Sequence, residues 1–116
     1  MWLLDANMPV QLVALLAELG VEAESAVSRG WNTLGNGALG SAAAQAKFTA
    51  LLTRVTRDRL SGESAASVLK GHREFCIMRI TLPQLRASQF LQAFRAAWQN
   101  SRIVTASGKM IQWPAP

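Results

Sequence analysis

Trp2-Leu3-Leu4-Asp5-Ala6-Asn7-Met8-Pro9 is the stretch on which the reading of the fold turns. The apolar run Met1–Leu4 ends in a carboxylate, the pattern of a buried strand that delivers Asp5 at its C-terminal end. Asn7 is a good helix cap, and Pro9 suits a first helical turn. Leu12, Leu15, Leu16 and Leu19 then recur at i, i+3, i+4 and i+7, which places one apolar stripe along an amphipathic helix. Gly20 stands where that helix should stop, and Val21–Glu24 reads as a second strand. Residues 1–24 thus predict a βαβ unit with its two strands in parallel, because a crossover helix returns the chain to the starting edge.

Beyond this unit the same alternation continues. Ser25–Gly40 is rich in Gly, Ser and Asn and predicts a loop, followed by a helix over Leu39–Ala46 on its alanines. Phe48–Val55 predicts a third strand, with Asp58 just beyond it. Ser61-Gly62-Glu63 offers a cap and an acidic first turn for a short helix to about Leu69, stopped by Gly71. Phe75–Ile80 predicts a fourth strand containing Cys76 and Met78. Ala87, Phe90, Leu91, Phe94 and Trp98 mark the clearest helix, about Arg86 to Gln99. Two short strands, Ile103–Thr105 and Met110–Trp113, are expected to turn around Ser107-Gly108. The pattern predicts an α/β fold, one domain over 1–116, with a mostly parallel central sheet of about four to five strands flanked by helices.

Composition narrows the function classes. One cysteine excludes an internal disulfide, and one histidine excludes most His/Cys zinc sites. No apolar run approaches the ~20 residues of a membrane-spanning helix. The opening residues lack a basic segment before their short apolar run, so no signal peptide and no membrane association are expected, and the expected location is cytoplasmic. Charge is unevenly placed. Residues 1–46 hold four acids and one base, a net of −3, whereas residues 47–116 hold eleven bases and three acids, a net of +8. An anionic partner, nucleic acid or an acidic protein segment, suits that asymmetry; solvated surface arginines are the plainer account.

In an open parallel sheet, ligands collect beyond the carboxyl ends of the strands, where the strand order reverses. Asp5 and Asp58 each follow a predicted strand, and on neighbouring strands their like charges call for a shared cation or a proton. Mg²⁺ or Mn²⁺ suits two carboxylates, being a hard cation that prefers oxygen ligands. Alternatively, each aspartate simply caps the following helix. Arg54, Arg57 and Arg59 flank Asp58 and either grip a phosphate through their planar forks or pair with the carboxylate. Other sites are disfavoured. Gly35, Gly37 and Gly40 lack the lysine and spacing of a phosphate loop. Cys76 reads as core and His72 as an exposed loop residue rather than a nucleophile and its base. Trp31, in its Gly/Asn loop, either anchors that loop or stacks on a base.

Three blocks of residues resemble bacterial PIN-like domains of the kind found in toxin–antitoxin gene pairs. Leu3-Leu4-Asp5-Ala6-Asn7-Met8-Pro9 is similar to that family's start, a strand ending in an acid. Gly30-Trp31-Asn32 through Asn36-Gly37-Ala38-Leu39 is similar to its second block, and Phe48 through Leu51-Leu52-Thr53 to Thr56-Arg57-Asp58 to its third, a strand running into Thr-x-Asp. The likeness covers about residues 2–98. It implies a small PIN-like α/β sandwich and a metal-dependent ribonuclease, a toxin component with RNA as substrate and an antitoxin-like protein as partner. Asp5 and Asp58 would then hold Mg²⁺ or Mn²⁺, Thr56 would orient Asp58, and Arg57 or Arg59 would contact phosphate. Two departures accompany the resemblance: Ala38 stands where similar sequences carry Glu, and residues 52–58 hold Thr-Arg twice, with three extra residues. The alternative expectation is therefore a catalytically degenerate PIN-like module that binds nucleic acid or a partner protein. A homodimer burying the tail around Ile111 and Trp113 is a further expectation.

Overall fold

The computed structural model describes residues 1–34, 36–54, 68–83 and 86–114. Five strands, β1 (Trp2–Leu4), β2 (Ala23–Ser25), β3 (Ala50–Arg54), β4 (Cys76–Ile80) and β5 (Met110–Trp113), form one sheet in the order β2-β1-β3-β4-β5. Every neighbouring pair is parallel. Among the described residues three helices connect them, α1 (Leu12–Glu18), α2 (Asn36–Gln45) and α3 (Ala87–Asn100), and residues 68–71 are also helical. The architecture is α/β, with a parallel sheet flanked by helices.

Strand alternation sorts the core into two layers. Leu4, Leu52, Met78 and Ile80 point to one face, where Leu12, Leu15 and Leu16 of α1 and Phe90, Phe94 and Trp98 of α3 cover them. Leu3, Leu51 and Ile77 point to the other, beneath Leu39 and Ala43 of α2 and Val68. With both faces covered, the central strands read as near-continuous apolar runs rather than as alternating ones. The α3 stripe is the strongest packing element: Phe90, Phe94 and Trp98 stand four residues apart, and Trp113 of β5 lies 4.9 Å from the Phe94 ring.

The α1 helix ends where glycine allows it. Gly20 takes φ +89, its N–H donates to Ala17 O, and Val21 N–H donates to Leu16 O. This left-handed closure satisfies two of the last carbonyls. The other end differs from the expectation: Asn7 does not cap α1, whose N-cap is Gln11. The Asn7 side chain instead accepts from Arg54 N–H at 3.3 Å and donates to Arg54 O at 3.5 Å, so it pairs with the last residue of β3 after β1 itself has ended.

Further expectations differ from the structure. α2 begins at Asn36, inside the segment read as loop, and Gly40 lies within it. A Cβ on Gly40 would stand 3.0 Å from a Val68 methyl, so the glycine admits a close helix contact that propensity does not register. Ile103–Thr105 is not a strand; Ile103 is a buried anchor in the layer beneath α3. With no strand at 103–105, the turn at Ser107-Gly108 does not close a hairpin; it leads into β5, which pairs in parallel with β4. Gly108 instead takes φ +73 and donates to Phe75 O at 2.8 Å, which pins the approach to β5 against the loop before β4. Trp113, offered as an apolar tail for a partner, is buried within its own chain.

Candidate functional site

Parallel strands place all five carboxyl ends on one rim. Because β1 neighbours both β2 and β3, the chain leaves β1 toward one side and returns on the other, so the order reverses between β1 and β3. Beyond such a junction the flanking loops diverge and leave a crevice, which is where doubly wound sheets bind their ligands. Asp5 is the first residue past β1, and it lies at this junction.

Register fixes what surrounds it. Leu4 pairs with Leu52, and Asp5 N–H donates to Leu52 O at 2.9 Å, which brings Asp5 level with Thr53. Thr53 in turn pairs with Arg79, and Arg79 with Gln112. Side chains two residues apart share a face, so Asp5, Thr53 and Arg79 continue the rows of Leu3, Leu51 and Ile77 on the α2 side. The α2 helix runs back against the strands that it connects, so its first turn, with exposed Ala38, belongs to this same rim.

Asp5 is only 3% exposed, and a buried carboxylate must be hydrogen-bonded. Its Oδ2 accepts from the Thr53 hydroxyl at 2.6 Å, and its Oδ1 accepts from Ala6 N–H at 2.6 Å. The two oxygens are thus each engaged by a donor, one from a side chain and one from the backbone. Arg79 is half-buried, with no side-chain hydrogen bond or ion pair among the described residues. It sets a cation two strands from the Asp5 carboxylate.

Arg54 faces the other way. Alternation turns it to the α3 side, where its guanidinium lies 4.8 Å from the centre of the Phe90 ring. Its Nε is buried without a hydrogen-bond partner, and burial lowers its pKa from the ordinary arginine value. The aromatic face compensates part of that desolvation. Arg54 is therefore a packing residue beside a shallow cavity of about 230 Å³ that Asn7, Pro9 and Ala87 also line, and not a neighbour of Asp5.

Of the expected site residues, Asp5 is where the sequence places it. Asp58, Thr56, Arg57 and Arg59 lie outside the described residues, as does Glu63. Among the described residues no group of three or more His, Cys, Asp or Glu side chains could hold a metal ion. The carboxylate oxygens of Asp5 are nonetheless of the hard, anionic kind that Mg²⁺ or Mn²⁺ takes, and each accepts one identified hydrogen bond, as metal-binding carboxylates do. Of the two expected aspartates, Asp5 is the one that lies among the described residues.

Two residues escaped the sequence reading. Thr53 belongs to the first copy of the repeated Thr-Arg pair, and the β1–β3 register sets it level with Asp5, so its hydroxyl meets the carboxylate. Arg79 sat within an apolar run with no acid nearby in sequence; only the pairing of β3 with β4 brings it to the rim. The remaining candidates are settled plainly. Cys76 is buried core, where desolvation raises its pKa, and His72 is half-buried rather than exposed. Trp31 packs edge-on against Phe48, with the Arg29 guanidinium 5.3 Å from its ring centre, and so anchors its loop.

No family model, curated protein or solved structure matches the chain. No helix among the described residues is long and apolar enough to cross a membrane.

Proposed function

We propose that the chain is a PIN-like, metal-dependent ribonuclease acting as the toxin component of a toxin–antitoxin pair. The observation that supports this reading is the placement of Asp5: a buried carboxylate at the β1/β3 junction, its Oδ2 held by Thr53. In this reading Asp5 and Asp58 hold Mg²⁺ or Mn²⁺, which when bound supplies charge neutralisation and polarisation of a phosphodiester. Thr53 fixes the direction of the Asp5 carboxylate so that no reorganisation is needed when a cation arrives. Arg79, with Arg57 or Arg59, contacts substrate phosphate, a task suited to the planar guanidinium.

The second reading is a catalytically degenerate PIN-like module that binds nucleic acid or an antitoxin-like partner protein. Ala38 favours it, since a methyl group stands on the first turn of α2 where an acid would add a third anionic oxygen donor. One experiment separates the two. Purified protein with Mn²⁺ is expected to cut single-stranded RNA, and Asp5→Asn to abolish cutting. Cleavage that is equal in wild type and Asp5→Asn overturns the nuclease reading. RNA binding without turnover, unaffected by removal of divalent cations, selects the degenerate module.

A further inference from the structure

The opposite rim of the sheet carries a different chemistry. Lys47 precedes β3 by three residues, Arg73 precedes β4 by three, and Lys109 immediately precedes β5. These strands are consecutive neighbours, so the topology lines the three cations along the N-terminal rim, across two strand spacings of about 5 Å each. Backbone hydrogen bonds tie the row together: Cys76 N–H donates to Thr49 O, and Ile77 N–H to Lys109 O. Two concavities open along it. One of about 240 Å³ is lined by Lys47, His72 and Arg73, and one of about 450 Å³ by Lys70, Arg73 and Gly108. Arg73 lines both, so they flank a single basic track.

Lys47, Lys70, Arg73 and Lys109 are all exposed, and none is in an ion pair among the described residues. Among the described residues, Glu74 is the one acid lining either concavity. Surface cations left without carboxylates in this number repel one another, and an anionic partner relieves that repulsion. The aromatic residues of the track, Phe48 and Phe75, are buried, so it offers no aromatic anchor of the sort that carries protein–protein affinity. A charged backbone needs none.

We infer that this N-terminal rim is a phosphate-backbone track for nucleic acid, remote from the Asp5 rim and independent of any divalent cation. The inference goes beyond the reading of the Asp5 site and stands or falls without it. Binding of a fluorescein-labelled oligouridylate is measured by anisotropy over a range of salt concentrations, in EDTA and in the Asp5→Asn background, so that cleavage plays no part. Three neutralised phosphates contribute a slope of about −2 to log K against log salt for a single strand. The combined variant Lys47→Gln, Arg73→Gln, Lys109→Gln is expected to lose that increment. The combined variant Arg86→Gln, Arg95→Gln, which removes charge from exposed sites away from the track, is expected to keep it. Equal loss in both variants, or loss in neither, overturns the track. Displacement of the oligonucleotide by polyglutamate as readily as by unlabelled RNA overturns its assignment to nucleic acid and gives the surface to an acidic protein segment.

Discussion

Thr53 earns its place at the rim through one hydroxyl. It is 1% exposed, and that hydroxyl donates to a carboxylate equally removed from water. Replacing it with the isosteric Val leaves Asp5 short of a donor at a buried charge, which costs about 1.5–3 kcal/mol. Urea denaturation of Thr53→Val should show that loss, and Thr53→Ser should restore most of it. The nearby arginines show how strand alternation governs what a sequence reveals. Arg54 and Arg79 look alike as letters, yet one parity of the β-strand sends Arg54 onto Phe90 and the other sets Arg79 on the face of Asp5. The acid was legible because an apolar run ending in Asp has few other meanings. Its hydrogen-bond donor was not, since nothing in the local sequence singles out Thr53; only the pairing of β1 with β3 brings its hydroxyl to Asp5.

At the scale of elements, the apolar runs located the strands, and the Phe90/Phe94/Trp98 stripe located α3 within one residue. What failed were segments governed by contacts from elsewhere. Gly40 argues against a helix on propensity and is present because Val68 needs the room. Ser107-Gly108 resembles a hairpin turn, and no local signal distinguishes it from the docking turn of a parallel edge strand. Gly108 supplies the element-scale prediction. A Cβ there would meet Arg73 O at 2.8 Å, and the residue also holds φ +73. Gly108→Ala is expected to destabilise the protein by more than about 2 kcal/mol, since the left-handed conformation alone costs roughly 1–2 kcal/mol. Gly108→Asn, which tolerates that conformation, should recover little, because the contact with backbone remains. Thermal unfolding of the two variants provides the check.

For the whole molecule, the parallel order and the two covered faces were legible in the alternation of strands and helices, whereas the position of β1 between β2 and β3 was not. Local patterns do not encode which strands become neighbours. A global prediction follows from the chain's lack of tyrosine and its single cysteine. Cys76 is buried, and desolvation pushes its thiol pKa up. The folded state therefore keeps its proton at a pH where the unfolded chain, with an ordinary value of about 8.5, releases it. Stability is fully present below that value and declines as the pH rises toward the folded pKa. Denaturant melts followed by tryptophan fluorescence should show this alkaline decline, and Cys76→Ala should flatten it at some cost in overall stability. The exposed Glu24–Arg29 pair acts at the other end: the Arg29 hydrogen bond lowers the Glu24 pKa, so its small contribution is present above the usual carboxylate range and is lost on acidification.

The seat of β1 in the middle of the sheet also constrains how the chain reaches its native state. Trp2 pairs with Ala23 on one side and Ala50 on the other, and no adjacent pair of strands is joined by a hairpin. Each ladder closes only after a crossover has already given up its freedom, an entropic toll that short-range contacts avoid. Until residues 50–54 are available, β1 has only one of its two flanks protected. A ribosome extending this chain would hold out an apolar, half-paired ribbon for about that length of synthesis.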